Sequence, residues 1–210
     1  MKYINLFFLF IITVFLSCKS SKQDIEIEQI ETAREVMFRM KYDETLKKHR
    51  IHFIHIPIEF IMKNNLVLRQ TIDEIRYEYL PDSLERKGIT PLYSIINNNK
   101  LTKTYQFDEI FLFGKEIKKF LIETRHYAKD TIHFNDAYFK PYIDEMIENK
   151  TDTLLVGSFS DFKIKHSKLT NSLLSEDQIV IFVDNLGKEI KNSEGENVRL
   201  ALKIELPIKF

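Results

Sequence analysis

The 210-residue sequence is poor in several residue types that mark particular classes of protein. Five glycines argue against a glycine-rich loop that cradles phosphate. A single cysteine, Cys18, leaves no partner for an internal disulfide, so the hydrophobic core must carry the stability alone. Basic and acidic residues balance at 31 each, and a net charge of zero provides no basic face for nucleic acid.

Long hydrophobic runs are also missing. The apolar segment from Leu6 to Leu16 is interrupted by Thr13 and is too short for a bilayer-spanning helix, which needs about 20 residues. Lys2 gives the segment a positive start, and the small residue Ser17 follows its end. This order of a positive start, a short apolar run and then small residues predicts a secretory signal.

The lone Cys18 stands directly after Ser17. The segment resembles the lipobox of bacterial lipoprotein precursors, in which the cysteine thiol is lipidated and the signal is cleaved just before it. The resemblance covers about a tenth of the chain and departs from the usual pattern at Phe15, where Leu or a similar aliphatic residue is common. It implies a signal peptide over 1–17 and a lipidated tether over 18–23.

A lipidated cysteine of this type carries two or three acyl chains, which hold a protein stably at about 0.8 kcal/mol per buried CH₂. The resemblance therefore implies that the lipid bilayer is a partner through Cys18, in a bacterial cell envelope. Lys19, rather than an acid, follows the cysteine, which favours the outer over the inner membrane in lipoproteins of enteric type. The alternative is an ordinary signal peptide or a short membrane anchor with a cysteine nearby by chance.

The remainder of the chain has the composition of a globular protein, since the full sequence is 44% hydrophobic and 30% charged. Apolar residues near helical spacing predict an N-terminal helix over 24–50: Ile30, Ala33, Met37 and Met40. From residue 51 the segments become rich in β-branched and aromatic residues separated by turn residues. We expect a single mostly-β domain over 51–210, an α+β chain with helical insertions and an antiparallel β-sandwich-like architecture.

Several local features can be tested against the structure. Pro57 predicts that its strand lies at a sheet edge, because proline cannot donate to a strand ladder. Gly114 and Lys115 predict the turn of a hairpin over 104–127, with a helix over 116–127 as the alternative for its second half. Pro141 predicts the first turn of a helix. Further strands are expected over 66–79, 153–159, 162–166, 179–184 and 198–210.

No motif in the sequence identifies a reaction. The densest group of potential metal ligands is His126, Asp130, His133 and Asp136, whose imidazoles and carboxylates could bind zinc or a similar cation. Their spacing matches no short metal motif, and a solvated polar loop is the favoured interpretation. We expect no metal, no cofactor and no catalytic residue.

The sequence thus predicts where the protein is held more firmly than what it does. We expect a non-catalytic envelope lipoprotein that recognises a protein or an envelope polymer such as a glycan. One alternative is a metal-assisted envelope hydrolase that uses the group from His126 to Asp136. Another is a periplasmic inhibitor or immunity protein, which would share the same composition and anchor.

Overall fold

The structure is a computed structural model that describes residues 24–79, 90–96, 99–105, 107–128, 136–191 and 197–210. Cys18 and the predicted signal lie outside these ranges. Within them the chain forms eleven strands and three helices: β1 (Ile25–Ile30), β2 (Glu35–Asp43), β3 (Lys48–Asn64), β4 (Gln70–Glu78), β5 (Leu92–Ile96), β6 (Lys100–Thr104), β7 (Ile110–Leu112), β8 (Ile117–Tyr127), α1 (Asp136–Glu148), β9 (Thr153–Ser158), α2 (Phe159–Lys165), α3 (Ser167–Leu174), β10 (Gln178–Lys191) and β11 (Asn197–Pro207).

The strands form two antiparallel sheets. The larger sheet has the order β6-β5-β8-β3-β2-β9, and β1 pairs with β3 off this path. The smaller sheet has the order β11-β10-β4-β7. One core contains side chains from both sheets, among them Ile56, Ile58, Phe60, Ile72, Ile179 and Ile181. The prediction of a mostly-β, sandwich-like fold with helical insertions is confirmed.

The predicted helix over 24–50 is wrong, because this segment forms β1, β2 and the start of β3. Its buried side chains include Ile25, Val36 and Phe38, and the last two follow the two-residue period of a strand. The helical spacing of the apolar residues was coincidental, and pairing with β3 determines the structure. The segment therefore belongs to the larger sheet.

Pro57 lies inside the larger sheet, so the prediction of an edge strand is also wrong. It stands opposite Glu123 of β8, whose backbone N–H points away from β3 and donates to Pro91 O at 3.1 Å. The pair is therefore of the type that exchanges no hydrogen bonds, and the missing proline donor faces the other edge of β3. On that edge β2 pairs as far as His55 and β1 pairs from Glu59, so the proline lies where the partner strand changes.

The turn at Gly114 and Lys115 joins the two sheets instead of closing a hairpin. β7 pairs with β4 in the smaller sheet, whereas β8 pairs with β3 and β5 in the larger one. Glycine is required here because a Cβ at Gly114 would lie 2.0 Å from Val67 O. Lys115 has a φ of 65°, in the left-handed region.

The helices cover one side of the larger sheet. α1 begins at Asp136, five residues before Pro141, and buries Phe139, Ile143 and Met146 along one face. The predicted strand over 162–166 is instead part of α2, whose N-terminus is capped by Ser158 Oγ accepting from Asp161 N at 3.1 Å. Among the described residues, no helix is both long and apolar enough to cross a membrane.

Candidate functional site

A concave surface lies where the β2–β3 hairpin meets the start of α1. Two adjoining cavities of about 350 and 420 Å³ open there, and Tyr42 and Asp136 line both of them. We call this surface the hairpin cleft. Its other lining residues include Arg50, Ile51 and Phe139 in the first cavity, and Lys48, Ile143 and Ile147 in the second.

Local sequence chemistry shapes the hairpin side of the cleft. Asp43 Oδ1 accepts from Thr45 N at 2.9 Å and from Leu46 N at 3.0 Å, which closes the turn. The hydrogen bond from the backbone N–H of Leu46 is the largest of the interactions that lower the pKa of Asp43. Lys47 completes the turn with a φ of 51°. The turn therefore holds the hairpin in a defined conformation.

The helix side is positioned by aromatic packing in the core. Phe139 of α1 contacts Phe38 of β2 edge to face, with ring centroids 5.7 Å apart. Phe162 of α2 contacts the same ring at 5.9 Å. Because Phe38 is fully buried, it fixes both helices against the larger sheet and places Asp136 beside the first residues of β3.

Asp136 connects the two sides. Its carboxylate accepts hydrogen bonds from Lys48 Nζ and from Arg50 Nε, the latter at 2.9 Å. The hydrogen bond from Lys48, followed by the contributions of Arg50, lowers the pKa of Asp136 against the opposing effect of burial. Exposed ion pairs contribute little to stability, so the main consequence is that these three side chains are held in one arrangement.

The cleft combines apolar area with charges of both signs. Tyr42 and Ile147 are 40% and 49% exposed, so large hydrophobic groups remain available to a ligand. Lys140 Nζ pairs with Asp144 at 2.6 Å, and Lys47 Nζ pairs with Glu44 at 3.3 Å. Such a surface is suited to recognition of an extended ligand. Carboxylates that are paired with cations and have lowered pKa values are poor general acids.

Two of the four residues proposed as metal ligands can be placed, and they occupy different environments. Asp136 lies in the cleft with its two cations, whereas the side chain of His126 is completely buried. Asp130 and His133 lie outside the described residues. Among the residues that the structure describes, no group of three or more His, Cys, Asp or Glu side chains could hold a metal ion.

His126 belongs to a polar network between the two sheets. Its Nε2 lies 2.9 Å from Thr124 Oγ1, and its Nδ1 lies 3.8 Å from Asp177 Oδ2. Tyr77 of β4 donates to the same carboxylate oxygen at 2.8 Å. The network therefore links β8 of the larger sheet to the smaller sheet.

The order of Thr124, His126 and Asp177 resembles a catalytic relay, but its surroundings indicate a structural role. The Thr124 hydroxyl donates to Ile56 O at 2.9 Å, so its proton is not directed toward the imidazole. Thr124 and His126 are fully buried and Asp177 is 2% exposed, which leaves a substrate no access. Sequence reasoning missed this network because its members come from distant segments with no common motif.

A second buried histidine joins two helices. His166 Nε2 lies 3.1 Å from the Tyr142 hydroxyl, and His166 Nδ1 is bonded to the Tyr138 hydroxyl. Burial, and secondarily Lys165, lowers the pKa of His166, while burial raises the pKa of Tyr138 to about 12. Because both ring nitrogens are engaged by tyrosines of α1, this cluster holds α1 against the end of α2.

Comparison of the chain with protein-family models found no match, and comparison with curated proteins found none. We therefore argue function from the geometry of the hairpin cleft and from the lipobox resemblance at Cys18.

The Lys48–Asp136 contact gives a testable electrostatic prediction. We expect Lys48→Met to raise the pKa of Asp136 toward its ordinary value, since the largest cause of the lowering is removed. A carboxylate with a lowered folded-state pKa contributes stability above its unfolded pKa and loses it as pH falls through the folded pKa. The variant should therefore be less stable than the wild type above about pH 4, and the difference should shrink as the pH falls through the folded-state pKa. Carboxyl NMR titration of Asp136 measures the shift.

Lys47→Met is the matched control, because Lys47 belongs to the same hairpin and pairs with Glu44. It should leave the Asp136 titration unchanged. Equal shifts in both variants, or none in Lys48→Met, would show that the contact does not set the pKa of Asp136.

Proposed function

We propose that the protein is a lipoprotein of a bacterial cell envelope, anchored through lipidated Cys18, most readily in the outer membrane. We further propose that it binds a protein or an envelope polymer such as a glycan in the hairpin cleft and catalyses no reaction. The lipobox resemblance over the first eighteen residues supports the anchor. The cleft combines apolar area with charges of both signs, which supports the binding role.

One observation carries the proposal: the first described residue after the proposed tether and the cleft lie at opposite ends of β3. Asp24, the first described residue after the tether, has its carbonyl 2.8 Å from Asn65 N, just beyond the end of β3 at Asn64. Lys48, at the other end of this 17-residue strand, lies in the cleft. At about 3.3 Å per residue, the strand separates the two ends by about 50 Å. An anchored molecule can thus present the cleft away from the bilayer.

The features of the cleft favour binding over hydrolysis. Its acidic groups Asp136 and Asp144 are paired with cations, and His126 of the suspected metal group is buried elsewhere. Exposed Tyr42 and Ile147 instead supply apolar contact area of the kind that anchors protein or glycan ligands. Bacterial polymers and extended protein segments would both fit a groove between a hairpin and a helix.

The anchor predicts that Cys18→Ser abolishes incorporation of labelled palmitate in cells that express the chain. The variant should also keep residues 1–17, because cleavage before the cysteine depends on its lipidation. Ser17→Ala is the matched control and should incorporate palmitate like the wild type, because it leaves the thiol in place. Undiminished labelling of Cys18→Ser would contradict the proposed anchor.

The cleft predicts a position-dependent crosslink. A photoreactive amino acid at Ile147, which is 49% exposed in the cleft, should capture a partner in living cells. The same group at Leu202, which is 47% exposed on β11 of the smaller sheet, is the matched control and should not capture it.

A protein partner gives one discrete crosslinked band, and a glycan gives a heterogeneous product that glycan-degrading enzymes collapse. Either product at Ile147 alone supports recognition in the cleft. Equal capture at both positions, or capture at neither, argues against it.

A further inference from the structure

Four large apolar side chains project into solvent at the end of β3 opposite the cleft. They come from the turn over 65–69 and from the sheet-switching turn over 113–116 with the first residue of β8. We call them the apolar tip: Val67, Leu68, Phe113 and Ile117, which are 81%, 65%, 58% and 57% exposed. Such a cluster on a monomer usually marks a contact surface.

The buried side chain of Asn64 holds the two turns together. Its Nδ2 donates to Leu68 O at 2.7 Å, to Leu112 O at 3.0 Å and to Phe113 O at 3.1 Å. Its Oδ1 accepts from Leu66 N at 2.9 Å. The backbone positions of both turns are therefore fixed, and the exposed side chains are presented by a built arrangement.

Direct contact between the turns adds to this arrangement. Lys115 N donates to Leu66 O at 3.0 Å, and the absence of a side chain at Gly114 lets the second turn approach Val67 closely. The two turns therefore lie side by side, and between them they carry three of the four exposed apolar side chains, with Ile117 directly after the second turn.

The tether enters the fold at the same place. Asn65 N donates to Asp24 O at 2.8 Å, so the first described residue touches the turn that carries Val67 and Leu68. Cys18 precedes Asp24 by six residues. An extended chain spans at most about 3.6 Å per residue, so a tether of six residues can reach at most about 22 Å from Asp24. Lipid chains on Cys18 would therefore bring the apolar tip to the bilayer surface.

We propose that the apolar tip is a second membrane contact, in which Val67, Leu68, Phe113 and Ile117 enter the interfacial layer of the lipid bilayer. This proposal rests on the anchor proposed above and adds an orientation to it. A single tether leaves the body free to rotate, whereas two adjacent contacts direct β3 away from the membrane. The hairpin cleft then faces the aqueous compartment.

The charges around the apolar tip suit this location. Arg69 lies over the Phe111 ring at 4.5 Å from its centroid, and a long cationic side chain beside apolar groups can extend into lipid headgroups. Two nearby carboxylates are paired: Glu26 with Lys63 at 3.6 Å, and Glu116 with Lys118 at 3.7 Å. These two ion pairs reduce the repulsion between the apolar tip and anionic lipid.

The sequence contains no tryptophan, so a single introduced tryptophan reports on its own surroundings. Phe113→Trp and Val67→Trp place it in the apolar tip, and Leu155→Trp, at a site with 57% exposure on β9, is the matched control. The lipidated full-length variants are reconstituted into vesicles, with brominated acyl chains as the quencher. Flotation of the same vesicles measures anchoring independently of the tip.

We expect all three variants to float with the vesicles. The tip tryptophans should show a blue-shifted emission and a loss of intensity with brominated lipid, whereas the Leu155→Trp signal should stay unchanged. Two tip positions guard against a local effect of either substitution.

Flotation without quenching at either tip position would overturn the second contact while leaving the anchor intact. A blue shift without quenching would also overturn it, since a second copy of the protein or another segment would then cover the tip. Failure of all variants to float would contradict the anchor, and the orientation proposed from it would fall as well.

Discussion

Antiparallel pairing along β3 is the constraint on which the rest of the structure depends. Its 17 residues pair on one edge with β8 from Phe53 to Lys63, and on the other edge with β2 and then β1. The side chains at every second position of β3 form its inner face, and five of them are fully buried: Ile54, Ile56, Ile58, Phe60 and Met62. A shift of one residue would turn this row toward the opposite face, so the burial fixes the register of the whole sheet.

The length of β3 also separates two surfaces with different chemistry. At Lys48 the strand enters a cleft of mixed charge and apolar area, and at Asn64 it ends beneath two turns that present hydrophobic side chains. Phe38 fixes the helical wall of the first surface, and Asn64 fixes the backbone of the second. The proposed functions at the two ends therefore rely on one rigid strand that keeps them apart.

Local sequence patterns predicted the β-rich class and the strands β4, β9, β10 and β11 because β-branched and other large apolar residues recur in those segments between turn residues. They failed over 24–50, where buried Val36 and Phe38 follow strand periodicity while the neighbouring apolar residues imitate a helix. The residues around Gly114 match the local pattern of a hairpin turn. β7 and β8 nevertheless pair with strands of different sheets, and this pairing depends on contacts distant in sequence. Asp136 was recognised as a candidate residue, but its partner Lys48 lies 88 positions away and no local motif reveals it.

The central claim is that the anchored protein holds the hairpin cleft far from the membrane. Leu46→Cys and Val67→Cys each provide one reactive thiol, at the hairpin turn and at the apolar tip, since Cys18 is the single native cysteine and would be lipidated. Energy transfer from a donor on each thiol to acceptors on lipid headgroups measures the two heights. The account predicts strong transfer from position 67 and much weaker transfer from position 46, about 50 Å further along β3. Equal transfer from the two positions, or stronger transfer from position 46, would contradict it.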